Sequence, residues 1–224
     1  MSVLRAVGLS RTYRVGGEDV AALAGVDLEI RKGEFVAVTG PSGSGKSTLI
    51  SLLAGLERPS GGDVFLDGQA LSKLSDDEVS RLRRTKVGFV FQSFNLVPVL
   101  TLTENVALPF LLENRPRAEW LRRVAQALDD VGLKHRQGHL PELVSVGERQ
   151  RAAIARALVT EPSLIFADEP TGSLDSHRGD SVLQLLRKAC TEHGRTVVMV
   201  THDAKAAASA DRTIRLRDGR LEGA

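Results

Sequence analysis

Eight consecutive residues, Gly40-Pro41-Ser42-Gly43-Ser44-Gly45-Lys46-Ser47, constrain this chain more than any other feature. They satisfy G-x-x-x-x-G-K-[ST] at every fixed position and lie between the apolar run Phe35–Thr39 and a stretch, Lys46–Leu56, that carries Leu49, Leu52 and Leu53 on one side. The reading is strand, glycine loop, helix. Glycines let the backbone curl until several N–H groups point at one anion, and the following helix adds the positive end of its dipole. The residues expected to cradle ATP are Gly40, Pro41, Ser42, Gly43, Ser44, Gly45, Lys46, Ser47 and Thr48. Lys46 would reach the β- and γ-phosphates, and Ser47 would ligate Mg²⁺.

The rest of the chain reads as the α/β scaffold that such a loop requires. Val87–Phe91, Leu164–Ala167, Val197–Thr201 and Ile214–Leu216 are nearly continuous apolar runs, as parallel strands buried on both faces should be. Helix-like stretches at Glu148–Val159 and Ser176–Glu192 alternate with them, which implies a mostly parallel central sheet. Ahead of these, Val3–Leu9, Val26–Ile30 and, after the Ser60-Gly61-Gly62 turn, Asp63–Leu66 read as an antiparallel β subdomain. From about Ser93 to Val144 no convincing strand appears, and Thr103–Leu112 and Ala118–Val131 are helix-like. The expected fold is an α/β P-loop NTPase (RecA-like) core with an N-terminal antiparallel β subdomain and an inserted helical subdomain. Residues 1–224 form one ATPase domain, in which 1–92 and 146–224 make the core with its β subdomain and 93–145 make the lobe.

Composition removes several functions. A formal net charge of +2 gives no broad electrostatic footprint for nucleic acid. The basic groups Arg81, Arg83, Arg84, Lys86 and Arg115, Arg117, Arg122, Arg123 read as solvated helix faces. Cys190 is the only cysteine, so neither an internal disulfide nor a Cys-based metal site is possible. Met1–Val7 lacks the apolar stretch behind a basic start that marks a secretory signal. No apolar run approaches the roughly 18–20 residues needed to span a bilayer, so any transport role requires a separate membrane partner.

Three further positions could complete a phosphate-cleaving centre. The run Leu164–Ala167 ends in Asp168-Glu169: Asp168 at a strand tip suits the Mg²⁺ shell, and Glu169 could orient and deprotonate an attacking water. Val197–Thr201 leads to His202, placed to sense the γ-phosphate. Gln92 follows Val87–Phe91, where its amide could touch Mg²⁺ or the water. The expected catalytic set is therefore Glu169, His202 and Gln92, with Ser47, Gln92 and Asp168 around the metal.

Taken in order along the chain, these pieces resemble the nucleotide-binding domain of ABC transporters. The resemblance rests on Gly40–Thr48, Gln92, Asp168-Glu169, Ser173-Leu174-Asp175, His202 and the stretch Val144-Ser145-Val146-Gly147-Glu148 that leads into Arg149–Leu158. It implies adenine stacking on Tyr13, and a homodimer in which Ser145, Gly147 and Asp175 of one copy complete the ATP site of the other. It also implies a transmembrane permease subunit docking near Phe94–Val99, where Phe94, Leu96, Val97 and Val99 could form an apolar socket, and a place on the cytoplasmic face of the membrane. Phe91–Leu96, Ala167–Asp175 and Val200–Asp203 resemble the MacB/LolD group, which implies export or lipoprotein extraction. The regulatory ATPase FtsE is a near relative and offers an alternative role without transport. The family's signature usually reads Leu-Ser-Gly-Gly-Gln. Here Val144, Val146 and Glu148 depart from it, and Glu148 sets an acid where an amide is usual.

Overall fold

A computed structural model describes residues 2–222, so that Met1 of the Met1–Val7 stretch lies outside the described residues. The chain opens with a long hairpin. β1 (Ser2–Val15) and β2 (Glu18–Arg31) turn back through Gly16-Gly17, both at positive φ, as a two-residue turn between right-twisted strands demands. Along β2, Leu23, Val26, Leu28 and Ile30 are buried while their neighbours face outward. β4 (Gly61–Leu66) pairs with β1, and β5 (Gln69–Ala70) returns from β4 through Asp67-Gly68, giving a four-stranded antiparallel sheet in the order β2-β1-β4-β5.

The second sheet has six strands in the order β10-β9-β3-β8-β7-β6. β3 (Phe35–Thr39), β6 (Val87–Val90), β7 (Leu164–Asp168), β8 (Thr196–Val200) and β9 (Arg212–Arg217) are parallel, and the short β10 (Arg220–Leu221) is antiparallel at the edge. Alternate residues of the apolar strands serve opposite cores. Val36, Val38, Phe166 and Val198 pack with the antiparallel sheet and with α1 (Lys46–Leu53). Phe35, Ala37, Ile165 and Met199 pack with α5 (Val146–Leu158) and α6 (Ser176–Thr191) on the other side. Covering both faces removes the alternation that would mark a half-buried strand. A short α7 (Ala204–Ala207) follows β8.

The stretch after β6 is helical, as expected. α3 (Leu102–Leu111) and α4 (Arg117–Asp130) pack through Leu102, Val106, Phe110, Trp120, Val124 and Leu128. Ala152 and Ala155 of α5, with Val159 at its C-cap, complete that core, while Ile154 and Ala157 of the same helix face the α/β core. One helix thus shares both cores. No helix among the described residues is long and apolar enough to cross a membrane.

One helix departs from the strand-rich reading of the first third. α2 (Asp76–Lys86) begins at Ser75, whose hydroxyl accepts from Glu78 N while Glu78 carboxylate accepts from Ser75 N. Its basic residues are not all solvated. Arg83 turns inward and donates to Gly55 O and Ser80 Oγ.

Candidate functional site

The strand order β3-β8-β7-β6 sets four carboxyl ends side by side: the glycine loop after Thr39, His202 after Val200, Asp168-Glu169 closing β7, and Gln92 after Val90. The register fixes this, because Val38 and Asp168 both pair with Val200, and Val90 pairs with Ala167. Ligands of open parallel sheets bind at this edge.

At two of its glycines the loop has no room for a side chain. A Cβ on Gly40 would stand 2.1 Å from Leu216 O, and one on Gly45 would stand 2.4 Å from Ala22 O. Gly45, at φ 99°, is the N-cap of α1 and supplies no side-chain acceptor, and the first turn holds no acid. By contrast, α2, α3, α5, α6 and α7 are all capped by a Ser, Thr or Asp side chain. The opening N–H groups of α1 therefore remain available to an anion. Lys46 Nζ lies inside the loop, donating to Gly40 O at 2.9 Å and Pro41 O at 2.7 Å. Ser44 Oγ is buried without a partner, a donor that the loop itself does not satisfy. Pro41, Ser42, Gly43 and Ser47 are exposed, and Thr48 is half-buried behind them.

Glu169 adopts φ 46°, rare for a residue with a Cβ. Its N–H donates to Val200 O at 3.0 Å, its carbonyl accepts from Gly172 N at 3.1 Å, and its Oε1 lies 2.8 Å from His202 Nδ1. The hydrogen bond and the charge of Glu169 raise the His202 pKa. Asp168 is half-buried beside Glu169; burial first, and then that neighbour, raise its pKa, while the Lys46 ammonium opposes them. This acid pair, met by a single lysine, has the hard oxygen donors that suit Mg²⁺. Gln92 is exposed, and its Nε2 would lie 3.3 Å from a Cβ on Gly172, so its amide reaches the loop that follows Glu169.

Tyr13 belongs to β1. Its hydroxyl donates to Glu57 at 2.8 Å, and the Arg11 guanidinium lies 4.7 Å from its ring centroid.

Ser145, Gly147 and Asp175 form a second group. Ser145 is the exposed N-cap of α5 and Asp175 the N-cap of α6. Gly147 is buried, with the Arg178 side chain across it. Glu148 turns back: its carboxylate accepts from Ser145 N at 2.8 Å and lies 3.2 Å from Arg136 Nε. The Ser145 N–H, with the arginine behind it, holds this carboxyl below its usual range. The acid at the unusual signature position is thus paired within its own chain.

In the stretch 94–99, Leu96 packs on the lobe core, Phe94 lies under the Arg149 guanidinium, and Val97 and Val99 face outward, Val99 at 80% exposure.

Several residues that organise the site were not singled out from sequence. Gln150, fully buried, donates to Pro170 O at 2.7 Å and ties α5 to the loop after Glu169. Arg156 donates to Phe94 O at 2.7 Å and Asn95 O at 2.5 Å, across the left-handed turn at those residues. Buried Asn105 accepts from Val97 N and faces the carbonyls of Val97, Leu100 and Thr101. No local pattern marks them.

Comparison with known proteins identifies the family. The model of a family described as ABC transporter matches residues 23–172. An uncharacterized ABC transporter ATP-binding protein, MJ0796, of Methanocaldococcus jannaschii is 44% identical over 224 residues, covering 98% of this chain and 95% of its own length. The macrolide export ATP-binding/permease protein MacB of Rhodopirellula baltica is 46% identical over 219 residues, covering 97% of this chain and 32% of its own; the chain spans about a third of that relative. A solved dimeric structure of the MJ0796 cassette in a post-hydrolysis state, bound to ADP and Pi, has a TM-score of 0.90 at 43% identity, covering 98% of this chain and 96% of the other.

Proposed function

Because this chain belongs to the ABC transporter family, we propose that it works as a homodimer that clamps two ATP molecules between its copies and hydrolyses them to drive a separate transmembrane permease. The observation that carries this reading is the convergence of Lys46, Asp168, Glu169 and His202 at one sheet edge, with Glu169 Oε1 hydrogen-bonded to His202.

In each site one copy supplies the cradle Gly40–Thr48, with Lys46 on the β- and γ-phosphates and Tyr13 at the adenine. Glu169 accepts a proton as water oxygen bonds to the γ-phosphorus and the bond to the β-phosphate oxygen breaks, releasing ADP and phosphate. His202 orients the Glu169 carboxylate through their hydrogen bond. Ser47, Gln92 and Asp168 would hold Mg²⁺, which when bound neutralises charge on the phosphates. The other copy supplies Ser145, Gly147 and Asp175. The dimeric relative bound to ADP and Pi supports the two-copy arrangement.

The lobe, residues 93–145, is the element that would transmit closure to the permease. Val97 and Val99 offer an outward apolar surface next to Gln92, and a MacB relative that joins a cassette to a permease in one chain supports such a partner. Its name, a macrolide export protein, favours export as the direction of transport.

The test is Glu169→Gln. Hydrolysis should fall about 100-fold or more with loss of the base, while Mg²⁺ and ATP should now trap a stable dimer visible by light scattering. A variant that keeps wild-type turnover, or never pairs at saturating ATP, contradicts the reading.

A further inference from the structure

The contact between Gly147 and Arg178 brings together the starts of two helices, α5 and α6. A Cβ placed on Gly147 would lie 3.1 Å from Arg178 Cδ and 3.7 Å from its Nε, so the arginine stem crosses directly over this glycine. The Arg178 backbone N–H donates to Asp175 Oδ1 at 2.9 Å, and its Nε lies 3.4 Å from Asp175 Oδ2. Among the described residues no acceptor is bonded to its two terminal nitrogens, and the side chain is 53% exposed. The guanidinium therefore stands between Ser145–Gly147 and Asp175, the two segments expected to face the partner copy.

The local charge balance gives this position weight. Glu148 is paired with Arg136 and with the Ser145 N–H, so it leaves little free negative charge at the α5 terminus. Both helices direct positive dipole ends toward the same corner. Val146 restricts the backbone just before Gly147, and Gly147 itself is buried. An arginine fork is the side chain best matched to phosphate oxygens, and it can donate two parallel hydrogen bonds.

We propose that Arg178 is a further contact in trans, donating from its terminal nitrogens to the phosphates of the ATP held by the partner copy, beside Ser145 and Gly147. This rests on the two-copy site described above and adds to it a binding residue. Arg178 brings to the signature corner the charge that the signature backbone alone lacks.

The experiment compares Glu169→Gln with Glu169→Gln/Arg178→Met and Glu169→Gln/Arg178→Ala, measuring the dimer dissociation constant by sedimentation equilibrium at saturating ATP and Mg²⁺. Methionine keeps an apolar stem across Gly147 and removes every donor. Loss of one charge-assisted hydrogen bond is worth roughly tenfold per site, so both double variants should pair roughly 100-fold more weakly, with unchanged melting temperature. Equal or tighter pairing of Arg178→Met would mean that the side chain only covers Gly147, and the proposal fails while the two-copy site stands. Failure of Glu169→Gln itself to pair removes the two-copy site and the proposal with it.

Discussion

Replacing Arg136 by alanine should turn Glu148 from a neutralised neighbour of the signature into a repulsive one. The Arg136 Nε stands 3.2 Å from Glu148 Oε1, and the carboxylate stays charged because the Ser145 N–H and the arginine hold its pKa down. At that separation and an effective dielectric of about 20, the gross attraction is about 5 kcal/mol. Arg136 is 38% exposed and Glu148 15%, so screening and desolvation leave a net value of about 1 kcal/mol. Without that neighbour the carboxylate, still held by the Ser145 N–H, repels the approaching phosphate of the partner's ATP, at about 1 kcal/mol for screened charges near a surface. That is about fivefold per composite site, and roughly thirtyfold for two sites. Sedimentation equilibrium of Glu169→Gln/Arg136→Ala with ATP and Mg²⁺ measures it. Adding Glu148→Gln should restore pairing, because the uncompensated charge is gone. Pairing within twofold of the parent after loss of Arg136, or a deeper defect on adding Glu148→Gln, would refute the reasoning.

Three other outcomes are expected. Burial and Glu169 raise the Asp168 pKa, so its charged form is costly in the fold and stability falls as pH rises through the ordinary carboxylate range; Asp168→Asn should therefore raise the melting temperature at neutral pH without ligand, abolish ATP hydrolysis, and cancel the stabilisation that Mg²⁺ gives the wild type. The His202 pKa is raised by Glu169, so the pair adds stability below the ordinary histidine value of 6.5 and loses it as pH climbs through the raised value; melting curves of wild type and His202→Ala should differ most below about pH 6.5 and converge at higher pH. Asn105→Leu leaves the Val97 N–H and three carbonyls without their partner; a cost of about 2 kcal/mol corresponds to a fall of about 4–8 °C in melting temperature for a chain of this size.

Much of the sheet edge where Lys46, Asp168, Glu169 and His202 meet was legible because it is written locally. The glycine loop, the strand ending in Asp168-Glu169 and the strand leading to His202 each carry their geometry in a few adjacent residues, and parallel pairing then aligns their ends. The helical lobe was legible from the absence of strands and from two periodic stretches. Other elements were missed although a signal existed. The Ser75-x-x-Glu78 box announced α2, and Asp67-Gly68 announced the β4–β5 hairpin. The 14-residue lengths of β1 and β2 were underestimated because their outer halves are largely exposed, with no buried alternation to mark them. What could not be read are the long-range polar ties. Gln150 meets Pro170, Arg156 meets Phe94 and Asn95, and Arg136 meets Glu148. Such pairs depend on helix packing between distant segments, and a polar residue of α5 looks the same in sequence whether it faces water or a backbone carbonyl.

Specific ATPase activity followed across protein concentration, with light scattering on the same samples, tests the shared site most directly. Activity per chain should climb steeply through the range where Mg²⁺ and ATP convert single chains to pairs, then level off. Constant activity per chain down to dilutions at which scattering detects only monomers would contradict a site built from two copies.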